Sequence, residues 1–261
     1  MVINGEKMLD KDLLSNRLEN FWGLGRFEAD YWFVGMEEGG GNSEDEVSKR
    51  LQTWSDLGCT PLVDNYQYHI GVEGYDFDGF FDGNIRQQAT WAKLIRTMKV
   101  INDPNNEYKS QDIKDFQSKN WGRCDSENCL IEIFPLPSPN ANHWNYDNWS
   151  DIPILRSRES YKSALRDPRI KSLGQKIDIY KPKLVLMYGM SAEFLDIWSE
   201  VAKIKFNQSP KIVIYQDKFI YCAHKDNTLF VVTYQPNAVW ANAYWEGVGK
   251  KISELIKQRI G

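Results

Sequence analysis

The chain has 261 residues, of which 42% are hydrophobic and 26% are charged. This composition is typical of a folded protein with a large buried core, and it excludes an intrinsically disordered chain. No apolar run reaches the ~18 residues that a transmembrane helix needs, and the first residues do not form the apolar segment of a signal peptide. The four cysteines show no paired spacing. We therefore expect a cytoplasmic protein that does not associate with a membrane.

The formal net charge of −4 is distributed unevenly along the chain. Residues 1–150 contain 14 Lys or Arg and 25 Asp or Glu, whereas residues 151–261 contain 18 and 11. The second part is therefore basic although the whole chain is acidic. This asymmetry permits a basic surface for nucleic acid, although scattered, solvated charges are the commoner explanation of such counts.

Four short apolar runs predict buried β-strands. They cover residues 31–34, 130–134, 184–188 and 229–234. Capping residues and apolar spacing predict a helix that begins at Ser43 and further helices over residues 91–101, 158–180, 191–198 and 245–256. Continuous apolar strands that alternate with helices are typical of a parallel sheet with helices on both faces.

The pattern predicts a single α/β domain over residues 1–261, with an N-terminal helical extension over residues 1–29. The predicted helix over residues 158–180 contains Pro168, where a break is possible. Residues 211–223 contain two short apolar segments around Gln216 and Asp217, which predict a hairpin.

Two long connections do not fit a minimal α/β core. They are residues 64–83 and 135–150, and both mix aromatic side chains with Asn, Asp and Gly. Long loops inside a compact domain are usually functional or disordered, and this aromatic content argues against disorder. We therefore expect both connections to contribute to a binding site.

Carboxylates lie at two of the predicted strands. Glu37 follows the first strand on a glycine-flanked turn, where we expect it to be exposed. Glu132 lies inside the second strand, where a charge must be paired, protonated or facing a cavity. Ligands bind at the carboxyl ends of parallel strands, so both residues are functional candidates. A solvated loop position for Glu37 and a structural ion pair for Glu132 are the alternatives.

Other kinds of site have little support in the sequence. The glycines at 39–41 belong to neither a GxGxxG nor a GK[ST] motif, and the carboxylates around them would repel a phosphate. The three histidines form no i,i+4 pair, and no nucleophile elbow is present. We therefore expect neither a metal ion nor another cofactor.

Four motifs follow one another at the predicted strands. They are FVGMEEGGG, LIEIFPLPSPN, LVLMYG and VVTYQPNAVW. In this order they resemble the uracil-DNA glycosylase superfamily, and the resemblance covers the chain from the first strand to the last helix. It implies a three-layer α/β/α fold with a short, mostly parallel central sheet.

The resemblance also implies roles for individual residues. Glu37 falls where the family has its water-activating Asp or Asn, and Glu132 falls near the Asn that reads the base edge. Gln235 stands in place of the family's His, Pro236 is retained, and Asn237 replaces Ser. Glu37 and Gln235 are therefore the catalytic candidates. The candidates for base binding are Glu132, Met36, Phe134, Asn237, Trp144 and Tyr66, and those for contact with DNA are Pro236, Val239, Trp240, Ser138 and Asn140.

Two further comparisons with the family refine this assignment. Val239 or Trp240 falls where the family inserts an apolar wedge into the duplex, whereas Glu38 stands where the family usually has Pro. No Cys follows Ser138 and its two flanking prolines, which disfavours the iron–sulfur branches of the family.

The function that the resemblance implies is hydrolysis of the N-glycosidic bond of a base in DNA, with release of the base. The DNA is either double-stranded, with the base flipped out, or single-stranded. We expect a monofunctional, monomeric DNA glycosylase. The alternative is a non-catalytic module on the same fold that binds nucleic acid or protein.

A modified cytosine is the expected base. An ionised Glu132 accepts a hydrogen bond from the N4 amino group of cytosine and repels O4 of uracil, whereas a protonated Glu132 donates to O4. The aromatic and Asn side chains of residues 140–149 suit a sugar attached to the base, although they also suit packing of the loop. The resemblance extends to an anti-phage branch of the family, which excises glucosylated hydroxymethylcytosine.

The basic second part of the chain is expected to contact DNA phosphates, with an affinity that falls as salt is added. The candidate residues are Lys181, Lys183, Lys203, Lys205 and Lys211.

Overall fold

The computed structural model describes residues 8–140 and 142–258. The strands are β1 (Gly23–Leu24), β2 (Tyr31–Glu37), β3 (Leu62–Val63), β4 (Asn128–Phe134), β5 (Leu184–Tyr188), β6 (Ile212–Tyr215), β7 (Lys218–Lys225) and β8 (Thr228–Thr233). The helices are α1 (Lys11–Asn20), α2 (Glu44–Asp56), α3 (Asn65–Ile70), α4 (Ala89–Asn102), α5 (Ser110–Lys119), α6 (Tyr146–Trp149), α7 (Arg158–Tyr180), α8 (Ala192–Ala202) and α9 (Asn242–Lys257). No helix within the described ranges has the length and apolar character needed to cross a membrane.

The strands form one mixed sheet in the order β3-β1-β4-β2-β5-β8-β7-β6. Its centre is parallel, since β4, β2, β5 and β8 run in the same direction and contain the four predicted apolar runs. At one edge β6 and β7 form the predicted hairpin, and β7 pairs antiparallel with β8. At the other edge β1 pairs antiparallel with β4 and parallel with β3.

The expectation of a short, mostly parallel sheet is therefore wrong, because both edges extend the parallel centre with antiparallel pairs. The sequence analysis missed the antiparallel pairing at the two edges for different reasons. β1 and β3 have only two residues each, which is too short for any periodicity to show. The hairpin was visible in the sequence, but its pairing with β8 depends on tertiary packing.

Two apolar clusters cover the two faces of the sheet and give the molecule its three layers. Val34 and Ile131 belong to the cluster that packs against α1, α7 and α8. Phe33 and Leu186 belong to the cluster that packs against α4, α5 and α9. The neighbours Phe33 and Val34 thus point in opposite directions, as expected for a strand buried on both faces.

Helix α7 continues through Pro168, where the sequence allowed a break. Pro168 removes the hydrogen bond to the carbonyl of Ala164, but Ala164 is exposed, so water can satisfy that carbonyl. The next residue, Arg169, is buried and donates to the carbonyls of Ile133 and Phe21. These contacts hold the helix against the sheet on the far side of the proline.

The N-terminal part of the chain is more closely integrated than the predicted helical extension over residues 1–29 implies. Residues 11–20 form α1, whereas Gly23 and Leu24 belong to the sheet as β1. Residues 1–7 of the predicted extension lie outside the described residues. The two long connections also contain regular structure, since α3 lies within residues 64–83 and α6 within residues 135–150.

The tryptophans near the C-terminus provide a test of this packing. Trp245 on α9 is fully buried, and its indole nitrogen donates to the carbonyl of Val239 at 2.9 Å, whereas Trp240 is 72% exposed. We predict that Trp245→Ala lowers the free energy of unfolding by about 3–5 kcal/mol, because it leaves a large cavity. Trp240→Ala is the matched control and should change it by less than about 0.5 kcal/mol. Urea denaturation measures both, and equal effects would contradict the packing described.

Candidate active site

A cavity of about 830 Å³ opens at the carboxyl ends of the parallel strands. It brings together several residues that the sequence singled out: Met36, Glu37, Glu132, Ser138, Asn140, Gln235 and Asn237. It also contains residues that the sequence analysis did not select, among them Glu38, Arg50, His69, Trp91, Arg158, Lys162 and Tyr188. Both long connections contribute to its wall, as expected from their length and composition.

Glu37 is the last residue of β2, and its side chain is only 9% exposed. The expectation of an exposed loop position is therefore wrong. Its Oε2 forms an ion pair with Arg158 of α7, whereas Oε1 is buried and has no hydrogen-bond partner in the protein. Burial raises the pKa of Glu37, and the positive charges of Arg158 and Lys162 counteract this rise.

Glu132 lies opposite Gly35 in the parallel pairing of β4 with β2. The phenol ring of Tyr188 from β5 lies against both residues, because Gly35 has no side chain to exclude it. Burial raises the pKa of Glu132 well above its usual value, and the nearby charges of Glu38 and Glu37 raise it further. This rise favours the protonated form of Glu132, and the hydroxyl of Tyr188, which interacts with the same carboxyl group, opposes it in part. Its Oε2 is buried beside that hydroxyl.

Glu38 has a different role from the two carboxyl groups beside it. Arg17 and Arg50, which are both buried, form ion pairs with its two carboxylate oxygens at 3.4 and 2.5 Å. The hydroxyl of Tyr68 donates to the same carboxylate at 3.3 Å. This buried network supports the floor of the cavity from α1 and α2. The sequence could not indicate it, because the partners lie on separate segments.

One wall of the cavity is aromatic and comes from the connection at residues 64–83 and from α4. Burial lowers the pKa of His69 to about 4, so its ring is neutral, and Nδ1 lies 3.0 Å from the carbonyl of Asn65. Phe77 and Trp91 pack against this imidazole with ring centroids 5.4 and 5.3 Å away. The wall thus offers flat apolar faces, and Phe80 continues it.

The segment after β8 divides into a part that lines the cavity and a part that does not. Gln235 and Asn237 line it, and Pro236 between them is buried. Val239 is buried in the core on the α9 side of the sheet and cannot act as a wedge in this conformation. Trp240 is exposed outside the cavity, where Lys93 donates to its carbonyl at 2.8 Å.

Three other base-binding candidates are not brought to the cavity. Phe134 and Trp144 pack against Tyr161, with ring centroids 5.6 and 4.9 Å away, in the core on the α7 side. Tyr66 lies at the surface, where its hydroxyl donates to Asp82 at 3.2 Å. The aromatic side chains of residues 144–149 therefore pack their loop onto the domain, and these rings do not face the cavity as the sugar-binding surface that the sequence predicted.

The five candidate lysines do not surround the cavity. Lys181 and Lys183 lie just before β5, at the end of the sheet opposite to the cavity. Lys183 pairs with Asp30 at 2.5 Å, and Lys203 pairs with Asp178 at 3.2 Å. Lys205 precedes a short turn after α8, and Lys211 lies over the ring of Phe219. The cations that line the cavity are instead Arg50, Arg158 and Lys162.

No cluster of three His, Cys, Asp or Glu side chains suited to a metal ion occurs in the part of the chain that the structure describes. Comparison with protein-family models and with curated proteins finds no match to this chain. The chemistry of the cavity must therefore be inferred from its own residues.

The contact between Gly35 and Tyr188 can be tested directly. A Cβ atom at Gly35 would lie 2.2 Å from the Tyr188 hydroxyl oxygen. We predict that Gly35→Ala lowers the free energy of unfolding by about 1–3 kcal/mol through overpacking. In a double-mutant cycle measured by urea denaturation, Tyr188→Ala should relieve part of this loss. Gly39→Ala, with open space around the added atom, is the control. Additive effects at positions 35 and 188 would contradict the contact.

The raised pKa of Glu132 predicts a pH-dependent effect on stability. Because the pKa of Glu132 is raised in the folded state, folding takes up protons as pH rises above about 4.5, and stability falls until the folded-state pKa is passed. Glu132→Gln removes this loss. The variant should therefore gain stability relative to the unaltered protein with rising pH, by about 1.4 kcal/mol per unit of pKa difference.

Urea denaturation between pH 4 and pH 8 measures this difference. Glu254→Gln, at an exposed position of α9, is the control and should show no such trend. A pH-independent difference between Glu132→Gln and the unaltered protein would show that the pKa of Glu132 is not raised in the fold.

Proposed function

We propose that the protein is a DNA glycosylase that hydrolyses the N-glycosidic bond of a flipped-out base and leaves an abasic site. The observation that carries this proposal is the arrangement of Glu37 and Glu132. Oε1 of Glu37 is buried without a protein partner, Oε2 of Glu132 is buried beside the Tyr188 hydroxyl, and both residues line one cavity at the carboxyl end of the sheet. Orphaned buried polar atoms in a cavity are best explained by groups of a ligand or by water.

Glu37 is the residue suited to act on the water. Cleavage of an N-glycosidic bond passes through an oxocarbenium-like state, so a carboxylate can stabilise the positive charge and accept a proton from the attacking water. The free Oε1 supplies that acceptor. Because burial raises the pKa of Glu37, its carboxylate is also a stronger base at neutral pH than an ordinary glutamate.

Glu132 and Gln235 are suited to hold the base. A neutral carboxyl group both donates and accepts a hydrogen bond, so Glu132 can pair with two adjacent groups on a pyrimidine edge. The protonated form also lacks the charge repulsion by which an ionised Glu132 would exclude uracil. Gln235 offers an amide donor to the departing base, on which negative charge grows during cleavage.

The size and lining of the cavity support a base larger than uracil. Pockets for drug-sized ligands measure ~300–1,000 Å³, and a single pyrimidine is only a fragment of such a ligand. The cavity of about 830 Å³ is lined by Phe77 and Phe80 as well as by Glu132, and its polar residues include Asn42 and Gln88. A sugar attached to cytosine, as in glucosylated hydroxymethylcytosine, matches flat rings beside amide groups. We therefore assign the sugar-binding surface to this wall rather than to the loop at residues 140–149.

The alternative is a non-catalytic module that binds nucleic acid or protein. One observation favours it, namely the ion pair of Glu37 with Arg158, because partly buried ion pairs are also common as structural features. The two functions differ in whether an abasic site is formed.

We predict that the protein forms abasic sites in DNA containing glucosylated hydroxymethylcytosine, and that Glu37→Gln lowers the rate about 100-fold or more. Glutamine can still accept a hydrogen bond from Arg158, so the variant should unfold at nearly the same temperature. The assay incubates each protein with unmodified, uracil-containing or glucosylated DNA and then cleaves abasic sites with alkali. Glu200→Gln, at the surface of α8, is the matched control and should be fully active.

The outcomes separate the proposals. Strand breaks confined to the glucosylated DNA support the modified base, whereas breaks in uracil-containing DNA alone contradict it. Equal activity of Glu37→Gln and the unaltered protein removes Glu37 from the mechanism. Binding of any of the three DNAs without breaks contradicts the enzyme and supports the binding module.

A further inference from the structure

The guanidinium group of Arg158 joins two segments that end at the cavity. Its NH2 group pairs with Oε2 of Glu37 at the end of β2. Its NH1 group donates to the hydroxyl of Ser138 at 2.8 Å and to the carbonyl of His143 at 3.0 Å, both in the connection after β4. The backbone N–H of Ser138 in turn donates to the carbonyl of Glu38 at 2.9 Å. The end of β2 and the connection after β4 are therefore held together at Arg158.

This arrangement restricts how the Glu37 carboxylate can turn. One oxygen is occupied by the guanidinium, and the other is buried with no protein partner. The guanidinium is itself fixed through a different nitrogen by Ser138 and His143, so it cannot follow a rotation of the carboxylate freely. Planar guanidinium groups impose such directionality, which a lysine ammonium does not.

We propose that Arg158 is a positioning residue for Glu37, holding Oε2 so that Oε1 stays directed to the water that attacks the sugar. This inference rests on the proposed glycosylase function. Arg158 acts through Glu37 and through the connection after β4. Misplacing a reacting group by about 1 Å can lower a rate about 100-fold, so a fixed orientation of this carboxylate matters for the reaction.

Arg158 also has an electrostatic effect on Glu37. The charged and titratable groups facing Glu37 are Arg158, Lys162 and Tyr161 on α7, Glu193 on α8, and Glu132 on β4. Burial raises the pKa of Glu37 most strongly, and Arg158 is the largest influence that lowers it. Loss of the arginine charge should therefore raise this pKa further and shift the acid limb of the pH–rate profile to higher pH.

Two substitutions separate the charge of Arg158 from its geometry. Arg158→Gln removes the charge, and Arg158→Lys keeps it but cannot hold Glu37 and Ser138 through two fixed nitrogens. Arg166→Gln is the matched control, because Arg166 lies two turns further along α7 and pairs with Glu200 at the surface. The measurements are the pH–rate profile on glucosylated DNA and the titration of Glu37 by carbon-13 NMR, with its signal assigned from Glu37→Gln. Thermal unfolding confirms that each variant is folded.

We expect Arg158→Gln to lower kcat about ten- to a hundredfold and to move both the acid limb and the NMR midpoint to higher pH. Arg158→Lys should lower kcat while leaving both midpoints near those of the unaltered protein. Arg166→Gln should change neither.

The NMR titration keeps this proposal testable apart from catalysis. An inactive unaltered protein overturns the glycosylase function, whatever the NMR midpoint is. A folded Arg158→Gln variant with an unchanged Glu37 midpoint, or with full activity, overturns the role of Arg158. Full activity of Arg158→Lys overturns the geometric part of that role.

Discussion

Three carboxyl groups meet at the carboxyl ends of β2 and β4, and the cavity depends on how their mutual repulsion is relieved. Glu38 is neutralised by two buried arginines, Arg17 and Arg50. Glu37 shares one arginine and keeps one oxygen free. Glu132 has no cation beside it, and burial and the two neighbouring charges raise its pKa, which favours its protonated form. The three groups therefore differ chemically: Glu38 is a structural anion, Glu37 is an available anion, and Glu132 is shifted towards its neutral form, which can donate a hydrogen bond.

At the same end of the sheet, the backbone carbonyl groups where β4 ends no longer pair with a neighbouring strand and need other hydrogen-bond donors. The carbonyl of Pro135 accepts a hydrogen bond from Arg17 at 3.1 Å, and that of Glu132 accepts one from Arg169 at 3.1 Å. Buried carbonyls without partners would be costly. Arg17 of helix α1 contacts both the Pro135 carbonyl and Glu38. The N-terminal helix therefore supports the candidate site directly. The Glu38 carboxylate and the end of β4 are therefore stabilised by the same arginine.

The sequence could predict the parallel centre of the sheet because each strand there is a continuous apolar run bounded by Gly or Pro. It also placed Glu37 and Glu132 together, because the carboxyl ends of adjacent parallel strands meet at one edge. It could not predict the partners that decide their chemistry, since Arg158 lies 121 residues from Glu37 in the chain. Nor could composition show which of the two aromatic loops lines the cavity and which packs into the core. The rings of residues 144–149 pack into the core, whereas those of residues 75–80 line the cavity.

The balance of charge inside the cavity bears on which part of a nucleic acid can enter it. The carboxyl groups that line it are those of Glu37, Glu38, Glu46, Asp76 and Glu132, and the cations are Arg50, Arg158 and Lys162. Arg50 and Arg158 already pair with Glu38 and Glu37, so they offer little charge to a phosphate. Under the proposed function, a neutral base would enter this cavity, and the positive charge that develops on the sugar during cleavage would be attracted by its carboxylates. The DNA backbone would then stay at the rim while a single nucleoside enters, which is the geometry that base flipping produces.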